Sequence, residues 1–419
     1  MLIHWIWLAT RPDMTDREKM LVLEHFRDPE DIYFADAGAY AAVEDLSEDA
    51  YRSLQDKNLV PAEQVLADCA RERINILTIR DGAYPTRLKN IPDPPLVLYW
   101  KGRLPDLDSI PVIGVVGTRK ASVYGMTAAK RMGYQIGKCG GAVVSGMAYG
   151  IDGMAMQGAL SAGACVVGVL GCGADEIYPK SNKALFGDME RFGCLLSEFV
   201  PGTPPYKWNF PKRNRIISGL SDGVLVVEAP EKSGALITAR QAAEQGRDVF
   251  VVPGNIDVPS CAGSNALLRD GAIMVSSGWD VVSEYEHLYP GKLRRDTRPA
   301  QLTVYPDEVV KAAREERPGA KVAQKPVLPG KKQAAQPVNN KKDIDNTAPS
   351  AYSDGVVIPE GLNETERAIV EQLLEGERLV DEVVARTGLP TGKVLAALTL
   401  LEVRGIVQTL PGRRVKRKN

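Results

Sequence analysis

The sequence predicts an α/β protein in which an extended Rossmann-like parallel-sheet domain is flanked by an N-terminal helical domain and a C-terminal winged helix. Three observations carry that expectation. Between 111 and 290, short and almost wholly apolar runs alternate with amphipathic segments, the pattern of parallel strands covered on both faces by crossover helices. Residues 291–360 then hold eight prolines and few large apolar side chains, the composition of a flexible linker. Beyond them, three helical segments and a short β pattern spell a winged helix-turn-helix.

Taken in order, residues 1–105 read as a mostly helical domain of SAM or helix-hairpin-helix-like type. Segments 20–26 and 62–70 carry helical apolar spacing. Runs 74–79 and 96–100 read as strands, separated by Pro85, Pro92, Pro94 and Pro95. The apolar opening, Met1-Leu-Ile-His-Trp-Ile-Trp-Leu-Ala9, is short and lacks a basic n-region, so no signal peptide is expected. No run approaches the length of a membrane span, which points to a cytoplasmic protein. The domain at 106–290 supplies strands at 112–116, 142–145, 165–170, 194–197, 223–227 and 248–252, with helices at 127–138 and 235–245 among them. In the last domain, 361–419, helices are expected at 364–374, 379–387 and 391–404. Thr387-Gly-Leu-Pro390 turns the chain between the second and third. A β-wing at 406–415 and a basic tail, Arg413-Arg-Val-Lys-Arg-Lys418, close it.

Composition narrows the function. With 52 basic against 53 acidic residues, bulk charge does not attract nucleic acid, so any such activity needs a local patch. The 111–290 stretch is itself balanced, at 16 basic and 16 acidic residues. Cys69, Cys139, Cys165, Cys172, Cys194 and Cys261 form no Cys-x-x-Cys pair and read as reduced thiols, with no metal expected. His4, His25 and His287 all lie away from the glycine-rich motifs, which argues against histidine catalysis.

Ligands of an open parallel sheet bind beyond the carboxyl ends of its strands. After those ends come Gly117-Thr-Arg-Lys120, Ser145-Gly-Met-Ala-Tyr-Gly-Ile-Asp152, Gly171-Cys-Gly-Ala-Asp-Glu-Ile-Tyr-Pro-Lys180, Ser233-Gly-Ala-Leu-Ile-Thr238 and Pro253-Gly-Asn255. All share one rim. Phe210-Pro-Lys-Arg-Asn-Arg-Ile-Ile-Ser-Gly-Leu220, between the fourth and fifth strands, can also reach it. Glycines let backbone amides approach phosphates, and helix N-termini add partial positive charge. Arg119, Lys180, Lys212, Arg213 and Arg215 supply full charges suited to phosphate oxygens. The plain alternatives stand beside these. An isolated basic triplet is more often a solvated turn, and a glycine after a strand often only turns the chain. Asp152 and Glu228 read as a loop-fixing carboxylate and a hydrogen-bond acceptor. Phe186 is either a core residue or a ring that stacks on a base at the rim. Neither Gly-x-Gly-x-x-Gly nor the Walker motif stands in a strand-to-helix setting, so no cofactor is expected.

The ordered set resembles the DprA/Smf family of DNA-processing proteins. The matching elements are Gly117-Thr-Arg119, the 145–152 motif, Gly171-Cys-Gly-Ala-Asp175 with Tyr178-Pro179, and the 210–219 run. Val227-Glu-Ala229, Ser233-Gly-Ala-Leu-Ile-Thr-Ala239, Val252-Pro-Gly254 and Gly263-Ser-Asn265 complete it. Tyr84-Pro-Thr-Arg-Leu88 and Pro94-Pro-Leu-Val-Leu-Tyr-Trp-Lys-Gly102 extend it upstream, so the resemblance covers roughly 75–285. It implies a non-enzymatic protein, typically a homodimer, that binds single-stranded DNA, protects incoming strands in natural transformation and helps load RecA. Carried onto this chain, DNA would be contacted by Arg119, Ser145, Gly146, Lys180, Asn182, Lys212, Arg213, Asn214 and Arg215, with Phe186 as the candidate stacking ring. The winged helix departs from a strong DNA reader, because its third helix carries Lys393 and Arg404 among small and apolar residues. A second class shares the fold branch: phosphoribohydrolases with Pro-Gly-Gly-x-Gly-Thr-x-x-Glu. Here Glu228-Ala-Pro-Glu-Lys-Ser-Gly-Ala235 departs from that motif.

Overall fold

The computed structural model describes residues 1–296 and 362–417, apart from 375, 390, 405 and 411–413. Most of the expected 291–360 linker lies outside the described residues. The chain divides into two units, Met1–Val322 and Ala323–Asn419.

A nine-stranded sheet organises the first unit. Its strands are β1 (Asn75–Thr78), β2 (Val97–Gly102), β3 (Val112–Val116), β4 (Ala142–Ser145), β5 (Val166–Val169), β6 (Cys194–Ser197), β7 (Gly223–Val226), β8 (Asp248–Val251) and β9 (Ile273–Met274). They lie in the order β1-β2-β6-β5-β4-β3-β7-β8-β9. From β6 to β9 every neighbouring pair is parallel. Strands β3 to β7 are buried along their whole length, as their unbroken Val, Ile and Leu content demands when helices cover both faces.

Two differences from the sequence reading concern the sheet edges. The strands expected inside the N-terminal helical domain do not stay there, since β2 pairs antiparallel with β6 and carries β1 with it. The sheet therefore draws on residues before 106. The second difference is β9, a two-residue edge strand beyond the last of the expected strands. It is too short for a periodicity signal.

Helices Val123–Lys138, Ile151–Ser161 and Lys183–Phe192 cover one face, where Met132, Ile136, Met156, Leu185 and Met189 meet Ile113, Val115 and Val143. The first two cross with almost no space between them. A Cβ on Gly133 would come within 2.0 Å of the Ala155 carbonyl, and one on Gly158 within 2.0 Å of the Lys130 carbonyl. Helices Asn209–Leu220 and Gly234–Glu244 cover the other face through Ile216, Ile217, Leu220, Ala239 and Ala242. That core continues into the N-terminal helices, whose Ile6, Trp7, Leu8 and Leu54 are fully buried. The apolar opening of the chain is helix Leu2–Ala9, packed inside this core.

The second unit is the expected winged fold. Helices Glu364–Gln372, Val380–Thr387 and Thr391–Val403 are followed by strands Val407–Leu410 and Arg414–Arg417, which pair antiparallel. Most of the expected basic tail is thus the wing's second strand. Val394, Ala397, Leu398 and Leu401 of the third helix are core residues, which explains its apolar composition. Arg404 is ion-paired with the buried Glu366 at 3.2 Å. Among the described residues, no helix is long and apolar enough to cross a membrane.

Candidate functional site

Strand order reverses its direction of growth between β3 and β7, and a crevice opens beyond their carboxyl ends, where the topology of an open sheet leaves one. The cleft measures about 680 Å³. One wall is the 117–120 loop after β3, and the other is the 230–238 segment after β7. The start of helix Asn209–Leu220 forms the floor.

Local hydrogen bonds fix both walls. Glu228, fully buried at the end of β7, accepts from the Ser122 backbone N–H at 3.1 Å and from its hydroxyl at 2.6 Å. Thr118 donates its N–H to the Glu228 carbonyl at 2.7 Å. Glu228 thus ties the two walls together, in the acceptor role its loop position suggests. Opposite, Ser233 caps helix Gly234–Glu244 by accepting from the Ala235 N–H. Ser233, Gly234 and Ala235 line the cleft, so the partial positive charge of that helix N-terminus borders it.

Asp152 and Arg213 form part of the cleft floor, both almost fully buried. Arg213, only 3% exposed, donates to the carbonyls of Gly146 at 2.6 Å and Val169. Asp152 accepts from the Gly146 N–H at 3.1 Å. Gly146 sits between the two side chains: a Cβ there would come within 2.6 Å of the guanidinium and 2.7 Å of the carboxylate. Only glycine fits. Burial pushes the Arg213 guanidinium down to about 10, with Asp152 acting against it. Burial also pushes the Asp152 carboxyl up, with Arg213 and then Arg119 opposing. Arg213 and Asp152 are thus a buried pair of opposite charge that braces the backbone at Gly146.

The candidate residues separate sharply on this frame. Arg119 is exposed on the cleft wall, its guanidinium 5.0 Å from the Phe210 ring centre. Asn214 lines the cleft, and Arg213 forms part of its floor. Lys180 is exposed in a 3-10 turn outside the lining, two residues from Tyr178, which belongs to it.

The remaining candidates do not reach the cleft through their side chains. Ser145 is fully buried and donates to the Val115 carbonyl at 2.6 Å, joining β4 to β3. Asn182 spends its amide on the carbonyls of Met147 at 2.9 Å and Ala148 at 3.3 Å. It thereby braces a loop that holds Met147 at φ 55°, in the left-handed region that a non-glycine residue occupies at a cost. Phe186 is in the core beside Leu185 and Met189, so it is not an exposed stacking ring.

Lys212 and Arg215 point into a carboxylate cluster instead. Arg215 is 7% exposed and pairs with Glu198 and, at 3.2 Å, with Asp16; it also donates to the Asp93 carbonyl at 2.5 Å. Lys212 lies 3.0 Å from Asp16 and 3.4 Å from Glu198. The helix explains the split. Successive residues turn by about 100°, so 210, 213, 214 and 217 face the cleft while 212 and 215 face elsewhere.

The structure also adds cleft residues that sequence reasoning passed over. Lys120, Lys207 and Lys232 line the cleft and are exposed. Together with Arg119 they have no ion-pair partner among the described residues. Lys120 and Lys232 lie within segments quoted from the sequence and were legible there. Lys207 became a cleft residue only through the turn before the helix. Phe210 stands among these cations, 5.4 Å from Tyr178.

The comparisons with known proteins agree with this architecture. Residues 75–286 match the family model described as DNA recombination-mediator protein A, and 357–413 match the DprA winged helix domain. The chain is 36% identical to Protein Smf of Synechocystis over 87% of its own length and 85% of that protein. It is 45% identical to DNA processing protein DprA of Bacillus subtilis over 53% of its length and 74% of the relative. The X-ray structure of DprA from Streptococcus pneumoniae superposes with a TM-score of 0.61 at 34% identity, covering 68% of this chain and 98% of the other. With both domains matched in order and one relative aligned over most of its length, this chain belongs to the DprA/Smf family.

Proposed function

We propose that this protein binds single-stranded DNA in the switch-point cleft, without catalysing a reaction on it. The observation that carries the proposal is the set of four exposed cations, Arg119, Lys120, Lys207 and Lys232, gathered in one cleft and none of them held in an ion pair among the described residues. Desolvated or crowded cations without counter-charges favour an anion, and a row of them beside Phe210 suits a phosphate backbone with unpaired bases. The N-terminus of helix Gly234–Glu244, which lines the cleft, adds partial positive charge that suits phosphate and not a particular base.

The resemblance to the family extends the proposal to protection of incoming strands in natural transformation and to loading of RecA, in the cytoplasm. It also supports a homodimer through the sheet domain. The exposed edge strand β9, with Met274 66% exposed, is the segment that favours such an interface; mass measurement should give twice the chain mass at micromolar concentration, and a monomer would exclude it. A nucleotide-hydrolysing reading is disfavoured by Glu228, whose carboxylate is buried and committed to Ser122. Release of free base from nucleoside monophosphates would reinstate it.

Fluorescence anisotropy with single-stranded and duplex oligonucleotides of equal length tests the central claim. Preference for the single strand with little sequence selectivity is expected. Equal affinity for both would reject the cleft as a single-strand site.

A further inference from the structure

The turn leading into helix Asn209–Leu220 carries two aromatic rings on its outside. Tyr206 and Trp208 are stacked, with ring centres 4.6 Å apart and planes 9° from parallel. Trp208 is 70% exposed and Tyr206 44%. A lone exposed aromatic ring needs no explanation. A stacked pair bordering a cationic cleft is a different matter.

The pair is held in place by the turn that bears it. Tyr206 donates its N–H to the Pro204 carbonyl at 2.8 Å, and Asn209 donates its N–H to the Tyr206 carbonyl at 3.0 Å. The buried Asn209 side chain anchors the turn to the sheet by donating to the Gly171 carbonyl at 3.0 Å. Between the two rings in sequence stands Lys207, which lines the cleft and is unpaired among the described residues. Three consecutive residues thus alternate aromatic surface, cation and aromatic surface. Phe210, with Arg119 over its ring, continues the series into the cleft.

We propose that the Tyr206–Trp208 pair is a stacking platform for unpaired nucleobases of a strand whose phosphates occupy the cleft. The proposal rests on the single-strand reading above. Lys207 supplies the charge complementarity that selects a polyanion, and the flat outer surface of the pair matches a base face in size and chemistry. Stacking of this kind tolerates any base, because every base presents a π face. A duplex keeps its base faces inside the helix, so the platform also discriminates between the two DNA forms.

The full chain is titrated with oligothymidylate and with an abasic oligonucleotide of equal length, which keeps the phosphates and lacks the bases. Trp208→Ala should weaken oligothymidylate binding about tenfold, within the range of one base–aromatic stack, and leave abasic binding unchanged. Trp208→Phe should recover most of the loss. Arg119→Ala should weaken both strands. The exposure of Trp208 means that its variants should melt with the wild type. Undiminished oligothymidylate affinity in Trp208→Ala overturns the platform while the cleft stands, and so does an equal loss on both strands. If the wild-type protein binds neither strand, the cleft reading fails and the platform with it.

Discussion

One helix, Asn209–Leu220, separates two clusters of basic side chains built on opposite electrostatic plans. On the cleft side, Arg119, Lys120, Lys207 and Lys232 are exposed and form no ion pair among the described residues. On the other, Lys212 and Arg215 are ion-paired with Asp16 and Glu198, and Lys19 joins them 3.9 Å from Asp16. A cation's type does not decide its work; the carboxylate beside it does. A compensated, buried cation holds pieces of the fold together, here the N-terminal helix Asp16–Phe26 to the sheet domain. An uncompensated, exposed one is left for a ligand.

The sharpest way to break this comparison is to remove one member of the buried cluster. Arg215→Ala strands Glu198, whose side chain is 6% exposed, without its closest counter-charge. Deleting one partner of a buried pair costs about 3–5 kcal/mol, so a large fall in melting temperature is expected. Unchanged melting would mean that the cluster is not structural.

The converse variant, Arg119→Ala with Lys232→Ala, should leave melting almost untouched. If both side chains contact phosphates, the slope of log K against log salt should shrink by about 1.4, at ~0.7 per contact on a single strand. A lowered melting temperature with an unaltered slope would reverse the roles assigned to the two clusters.

Acid should separate the clusters as well. Burial pushes Asp16 up, but Lys212, Arg215 and Lys19 outweigh it and hold the carboxyl below its ordinary value. Two residues on, Glu18 of the Thr15 capping box is held at about 2: burial opposes, and hydrogen bonds from Ser47 and Thr15 prevail. A carboxylate depressed in the folded state stabilises it above its unfolded value, and that contribution is lost as pH falls from about 4.5 toward 2. Stability should therefore drop across that window, and Glu18→Gln should flatten the drop. An unchanged acid limb in the variant would remove Glu18 from the account.

The smallest effect is expected from the winged unit. Its third helix spends its apolar face on its own core, and Arg404 is paired with Glu366. Truncation after about residue 290 should cost at most ~1–2 kcal/mol of single-strand binding, the worth of a few non-specific contacts. A loss of three orders of magnitude with the remaining fold intact by circular dichroism would move the main site to the C-terminal unit.

Much of the scaffold was legible because its signals are local. Val112–Val116 and Cys194–Ser197 were visible as continuous apolar runs, and the loops after the strands had to share one rim once the sheet was parallel. The antiparallel addition of β1 and β2 was not visible, since a strand's sequence does not name its neighbour. Within the candidate site, Arg119 and Asn214 were legible as cleft residues. Phe186 was ambiguous, and the sheet settled it as core.

What the sequence by itself determined is the central strands, the position of the rim and the family, all of which rest on periodicity and motif order over short windows. Only the tertiary structure decided which basic residues remain available. Asp16 reaches Arg215 across 199 residues and Glu198 across 17, and no short window contains both partners. Four consecutive polar residues look like one patch when written in a line. Wound into a helix they point in different directions, and electrostatic fate follows direction.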